Sequence, residues 1–242
     1  MKLPTYISPS ALNDFLSCPY RWKCSKEEKP TIRVDDTAQL FGSAIHNILQ
    51  IYYSKIDNNL TEDKIVENLD QAFIEGGNWI TDSQKAKTKR IYKNIIAFEK
   101  ERLLRKQPKP DIVEKRFDAK LFDDLPPFHG IIDYYSSSTG IVMDWKTGKN
   151  HELDDDKMVQ GKLYQMLLEA NNYTVKKVVF YFLDTGAEPT IPKVSDGWIY
   201  NKAKLMCDMI ENDRFPSKPS GLCRFCPYQL NCQYKTKCRW CL

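Results

Sequence analysis

No apolar run in this 242-residue sequence approaches the roughly 20 residues needed to cross a bilayer, and no apolar core follows the N-terminus as a leader would require. These absences exclude a helical membrane anchor and argue for a cytoplasmic protein. Internal repeats, low-complexity tracts and linkers are also missing, so the expectation is one domain spanning 1–242. A third absence is local. From Arg214 to the C-terminus there are six Lys or Arg residues and no acid, and between Lys85 and Lys109 ten basic residues meet only Glu99 and Glu101. The net charge of +4 is too weak to name a partner. Its distribution attracts polyphosphate by counterion release, although a solvated helix face accounts equally for the 85–109 stretch taken alone.

The 42% hydrophobic content suffices for one substantial core. Ser8 followed by Pro9 predicts a helix start. "TAQLFGSAIHNILQIYYSK" places Leu40, Ala44, Ile48 and Ile51 on one stripe, and helices fit roughly 62–75 and 84–106. "DIVEKRFDAKLF", "PPFHGIIDYYSSS" and "TGIVMDWKT" then read as three strands of a meander. A helix over "DDDKMVQGKLYQMLLEANN", a strand over "TVKKVVFYFLDT" and a helix over 196–213 follow. The final 30 residues, rich in Cys and Pro, predict no regular element. Together these give an α/β fold, a mixed central sheet flanked by helices.

Asp133 ends the apolar run "GIID" and Asp144 ends "GIVMD". If their strands are neighbours, the two carboxylates converge at one edge of the sheet, where mutual repulsion makes a divalent cation welcome. Lys146 shares a face with Asp144 and can stabilise charge on a phosphate or position a water. Gly42 and His46 lie one helical turn apart, with the glycine expected to allow close backbone approach. Gln160 and Tyr164 share a helix face at i and i+4. Each fragment alone reads as ordinary structure: an ion pair, a core histidine, a half-buried tyrosine.

In this order and spacing, Gly42-x-x-x-His46, "GIID", Asp144-x-Lys146 with Thr-Gly behind it, and Gln160-x-x-x-Tyr164 resemble the motif set of the PD-(D/E)XK nucleases, in particular the RecB-like branch. The resemblance covers roughly residues 5 to 235. It implies a restriction-endonuclease-like core and a metal-dependent DNA exonuclease acting on single-stranded ends. His46, Asp133, Asp144 and the carbonyl of Trp145 would hold Mg²⁺ or Mn²⁺. Lys146 would be catalytic, and Gln160 and Tyr164 would contact substrate or brace the lysine. Glu114 sits where some relatives carry a further acid. Tyr134 and Tyr135 are candidates to stack bases, or to pack in the core. DNA is the implied partner, with a helicase, recombinase or integrase-type protein beside it, in repair, recombination, CRISPR adaptation or phage DNA metabolism.

Eight cysteines in a reducing compartment favour metal ligands or buried thiols over disulfides. Cys223-x-x-Cys226 and Cys232 form a tight set one ligand short of four, and Cys18 can complete it. The arrangement resembles the iron–sulfur staple of the AddB nuclease domain, the CRISPR-associated RecB-like nuclease and exonuclease V. That likeness implies a 4Fe–4S cluster clamping 1–30 to 214–242 as one lobe. Spacing alone leaves a Cys₄ zinc site open, and with it a non-catalytic, metal-stapled DNA-binding subunit. Cys207 reads as a buried thiol, while Cys24, Cys238 and Cys241 are unassigned.

Overall fold

The computed structural model describes residues 1–30, 35–77, 80–230, 232 and 234. The chain divides into two compact units, each discontinuous in sequence. One comprises 1–36, 118–129 and 195–242, the other 37–117 and 130–194. Among the described residues, no helix is long and apolar enough to cross a membrane.

In the first unit the N-terminal helix is interrupted. Helix α1 spans Pro9–Ser17 and α2 spans Pro19–Glu27. Pro19 keeps the residue before it out of the helical region, and Cys18 is extended at φ −160°. Cys18 thus ends α1 and caps α2, its thiol accepting from the Arg21 N–H at 3.5 Å. Ser8 caps α1 as its sequence position predicts, accepting from the Ala11 N–H at 3.1 Å. The C-terminal segment joins this pair. Trp22 stacks on Phe215 at 6.2 Å, and Lys218 Nζ donates to the Leu16 carbonyl at 2.7 Å. Among the described residues of a region expected to have no regular element, Gly221–Phe225 forms a 3₁₀ turn.

The second unit carries α3 (Thr37–Lys55), α4 (Glu62–Gly76) and α5 (Lys85–Leu104). In α3 the buried stripe runs through Phe41, Ile45, Ile48, Leu49 and Tyr52, whereas Leu40 is exposed. Ala44 and Ile48 are buried as expected and Ile51 is partly buried against the core, while the stripe widens to take in the aromatic Phe41 and Tyr52. Strands β1 (Ile112–Ala119), β2 (Phe128–Ser136) and β3 (Ile141–Lys146) form the expected meander. Helix α6 (Asp155–Ala170) supplies the crossover to β4 (Lys177–Phe182), which pairs parallel to β3. The strand order is β1-β2-β3-β4, a mixed four-stranded sheet flanked by helices. Helix α7 (Asp196–Glu211) returns the chain to the first unit.

Alternation along the strands sorts the faces. Tyr134, Met143, Trp145, Val179 and Tyr181 pack with α3, α4 and α5 in one apolar cluster. On the α6 side two glycines remove the methyl groups that would hold helix and sheet apart. A Cβ on Gly161 would stand 3.2 Å from Val178 and 3.3 Å from Phe180; one on Gly130 would stand 2.9 Å from Leu167. Gly42 differs, since a Cβ there would meet Thr147 Oγ1 at an ordinary 3.5 Å, so its turn is no close approach of backbones.

Tyr134 and Tyr135, candidates for base stacking, are core residues. Tyr134 packs edge-on against Tyr53, Phe98 and Trp145, and Tyr135 against Tyr173 with its hydroxyl on the Thr174 carbonyl. Half of the basic stretch is also spoken for. Lys85, Arg90, Lys100, Arg102 and Arg105 each meet a carboxylate. Glu99 and Arg102, counted in sequence as surface charges, are 0% and 2% exposed. Glu99 accepts from Tyr52 at 2.9 Å, Tyr53 at 2.7 Å and Arg102 Nη2 at 2.8 Å, and Arg102 also donates to the Gln107 carbonyl.

Candidate active site

The β2–β3 hairpin pairs Tyr134 with Met143 and Tyr135 with Val142. One step further in that register brings Asp133 level with Asp144, so the two carboxylates converge as adjacent strands should make them. Both are buried. Asp133 Oδ2 accepts from the Trp145 N–H at 2.9 Å. Burial first, and the charge of Asp144 second, push the Asp133 carboxyl well above its usual range, with His46 opposing.

His46 projects from α3 onto this pair. Its Nδ1 lies 2.6 Å from Glu114 Oε1 and 3.6 Å from Asp133 Oδ2, and its Nε2 is 3.0 Å from the Trp145 carbonyl oxygen. Acceptors on both ring nitrogens require an imidazolium. Burial pulls its pKa down, but the hydrogen bond to Glu114 and the charges of Asp133, Glu114 and Asp144 prevail and push it up to about 9.

Glu114 reaches His46 through an unusual backbone. Its φ is +45° in the middle of β1, the left-handed region that a glutamate enters only at a cost of order 1–3 kcal/mol. That kink turns the carboxylate into the site. One ligand atom each from His46, Glu114 and Asp133 lies within 4.8 Å of the others. Sequence pattern placed Glu114 only loosely, because strand alternation does not foretell a left-handed residue.

On the α6 side, Gln160 ties the remaining residues together. Its Nε2 donates to Asp144 Oδ1 at 2.8 Å and approaches the Tyr164 hydroxyl at 2.9 Å, while its Oε1 accepts from Lys146 Nζ at 2.8 Å. Lys146 also lies 2.8 Å from Asp144 Oδ2. That buried oxygen accepts no well-aligned hydrogen bond, which leaves an electron pair for another electrophile. Nitrogen and oxygen donors with one under-used carboxylate oxygen are a set that suits a hard divalent cation. Trp145 contributes its backbone N–H and carbonyl here, its indole being packed against Phe98, Tyr134 and Tyr181.

In the first unit, Cys18, Cys223, Cys226 and Cys232 all line one pocket with Tyr20 and Arg21. Among the described residues, no three cysteine sulfurs come within 4.8 Å of one another. Cys24 and Cys207 are buried, and burial pushes each thiol up to about 11. Cys238 and Cys241 lie outside the described residues.

The family model of the PD-(D/E)XK nuclease superfamily matches residues 6–233. No curated protein matches the sequence. Among solved structures, the crystal structure of SSO0001 matches with a TM-score of 0.44 and 16% identity, over 96% of this chain and 88% of that one.

Proposed function

The chain belongs to the PD-(D/E)XK nuclease superfamily, and we propose that it is a metal-dependent DNA exonuclease that hydrolyses phosphodiester bonds, with single-stranded ends as the preferred substrate. The observation that carries this reading is the meeting of the His46–Glu114–Asp133 group with Asp144, Lys146 and Gln160. His46, Glu114, Asp133, Asp144 and the Trp145 carbonyl would hold one or two Mg²⁺ or Mn²⁺ ions. Such an ion supplies a water of lowered pKa and neutralises charge on the scissile phosphate. Lys146 places its ammonium where charge on the phosphate grows, held in line by Gln160. Tyr164 steadies Gln160 from one turn further along α6. Digestion of end-labelled single and double strands with and without the cation tests the reading directly. A protein that binds DNA but never cleaves it would favour the alternative, a non-catalytic subunit working beside a helicase, recombinase or integrase-type partner.

Metal and protons compete for the same groups, which fixes a pH dependence. His46 has its folded pKa raised to about 9, so its contribution to stability is complete below about pH 6.5 and fades as pH climbs toward 9. The raised Asp133 acts in the same sense, because the folded chain prefers its protonated form. Apparent metal affinity moves the other way, rising about tenfold per pH unit for each proton displaced. Thermal melts with and without Mg²⁺ are therefore expected to diverge steadily from pH 6.5 to 9. A metal-induced gain in Tm that stays constant with pH would contradict the assignment of His46 and Asp133 as ligands.

We further propose a 4Fe–4S cluster on Cys18, Cys223, Cys226 and Cys232, which line one pocket, clamping 1–30 to 214–242 within a single nuclease domain. A single zinc ion, with Zn–S near 2.3 Å, needs sulfurs about 3.8 Å apart. Among the described residues no three of these sulfurs lie within 4.8 Å of one another, and a cubane spreads its ligands over a larger tetrahedron. Cys18→Ala is expected to bleach an anaerobically purified brown protein and lower its Tm by roughly 5–10 °C, since metal binding and folding are coupled. Cys238→Ala and Cys241→Ala are expected to keep the colour. Full iron content in Cys18→Ala would remove this residue from the set.

A further inference from the structure

The first turns of α5 place a lysine beside the site for which the contacts so far described give no purpose. Lys87 Nζ lies 4.8 Å from the centre of the Phe41 ring. Phe41 is buried immediately before Gly42, whose Cα faces Thr147, the residue after Lys146. Lys87 is therefore held against α3 at Phe41, the residue before Gly42, which itself lies one helical turn from His46. Among the described residues it forms no ion pair. The nearby acid, Asp184, is buried and taken by Arg90 through two bonds of 2.6 and 3.2 Å. Lys149 adds a second cation from the loop after β3. That loop is tethered, with His151 Nε2 2.8 Å from Thr185 Oγ1 and its ring 4.7 Å from that of Phe182. Lys87 thus has two other cations near it and one carboxylate that Arg90 already engages. Burial lowers the pKa of Lys87, Asp184 opposes this, and Lys149 and Arg90 push it down further. A half-buried ammonium under such repulsion gains most from an incoming anion.

We infer that Lys87 and Lys149 form a subsite for one non-scissile phosphate of the nucleic-acid strand, seated on the Phe41–Gly42 side of the catalytic cleft. The inference rests on the nuclease reading and assigns a task within it. The edge of Phe41 holds the Lys87 stem in place, so the charge is oriented before the strand arrives. Of the ten cations between 85 and 109, the subsite singles out one and releases those paired to carboxylates.

The test is initial-rate kinetics on a single-stranded oligonucleotide across a salt series. Lys87→Gln and Lys149→Gln are each expected to raise KM about tenfold with kcat unchanged, as loss of one charge-assisted contact should. Their salt slopes should be shallower by about 0.7, the increment for one phosphate on a single strand. Lys100→Gln, the same charge change on the same helix but at a residue paired with Glu62, is expected to match the wild type. A scan with one neutral methylphosphonate linkage should find a position that raises KM in the wild type and is silent in Lys87→Gln. Wild-type KM and slope in Lys87→Gln, or a methylphosphonate penalty that survives in it, would overturn the subsite while leaving the nuclease intact. A wild-type chain that neither binds nor cuts DNA would overturn the nuclease reading itself, and the subsite with it.

Discussion

Replacing Asp144 by alanine is expected to reduce DNA cleavage by about a thousand-fold or more, since a metal-bound nucleophile and phosphate stabilisation together supply several kcal/mol of the barrier. The fold should survive. Asp144 is one of two buried carboxylates in neighbouring strands, and its charge raises the Asp133 pKa. Its removal relieves that repulsion, so in metal-free buffer the variant should melt at or above the wild-type temperature. Added Mn²⁺ or Mg²⁺ should then stabilise the variant far less than the wild type. Lys146→Ala separates the two contributions, with turnover falling by about a hundredfold to a thousandfold and the metal-induced shift in Tm retained. Wild-type cleavage in Asp144→Ala would end the assignment of this site.

The largest stability effect is expected from Glu99, remote from all of this. Removing its carboxylate strands Arg102 in the core and takes the acceptor from Tyr52 and Tyr53. Breaking a buried pair on one side costs about 3–5 kcal/mol, which for a chain of this size lowers Tm by about 10 °C. Glu99→Leu should show that loss. The double variant Glu99→Leu/Arg102→Leu should recover much of it, because no uncompensated charge remains. Additive losses in the double variant would mean the two residues act separately, contrary to the direct bonding of Glu99 to Arg102.

Glu99 also marks where sequence stops being legible. Charges three residues apart on a helix look like a solvated surface, and nothing local reveals that two tyrosines from α3 converge on them. The strands were legible because "GIIDYY" and "GIVMDWK" carry enough apolar residues to need a buried sheet, and the short connection makes them neighbours. From that pairing the meeting of Asp133 and Asp144 follows. The contact of Gln160 with Tyr164 could be anticipated from i, i+4 spacing, its bracing of Lys146 only from the resemblance, and its bond to Asp144 from neither. Glu114 could not, since its carboxylate is delivered by a left-handed backbone in a strand. The break at Cys18 is written in Pro19, a second helix start as legible as Ser8-Pro9.

The closeness of α6 to the sheet has a consequence for tolerance to change. Gly161 adjoins Gln160 and meets Val178 and Phe180 with no room for a methyl group, while Gly130 receives Leu167 and Tyr164 in the same way. The height of Gln160 above Asp144 and Lys146 is therefore gauged by two absent side chains. A methyl at either point acts as a shim. It lifts the helix by a few tenths of an ångström, and the 2.8 Å bonds that align carboxylate and ammonium lengthen together. Of all the spacings around the cleft, this one leaves the least room for substitution.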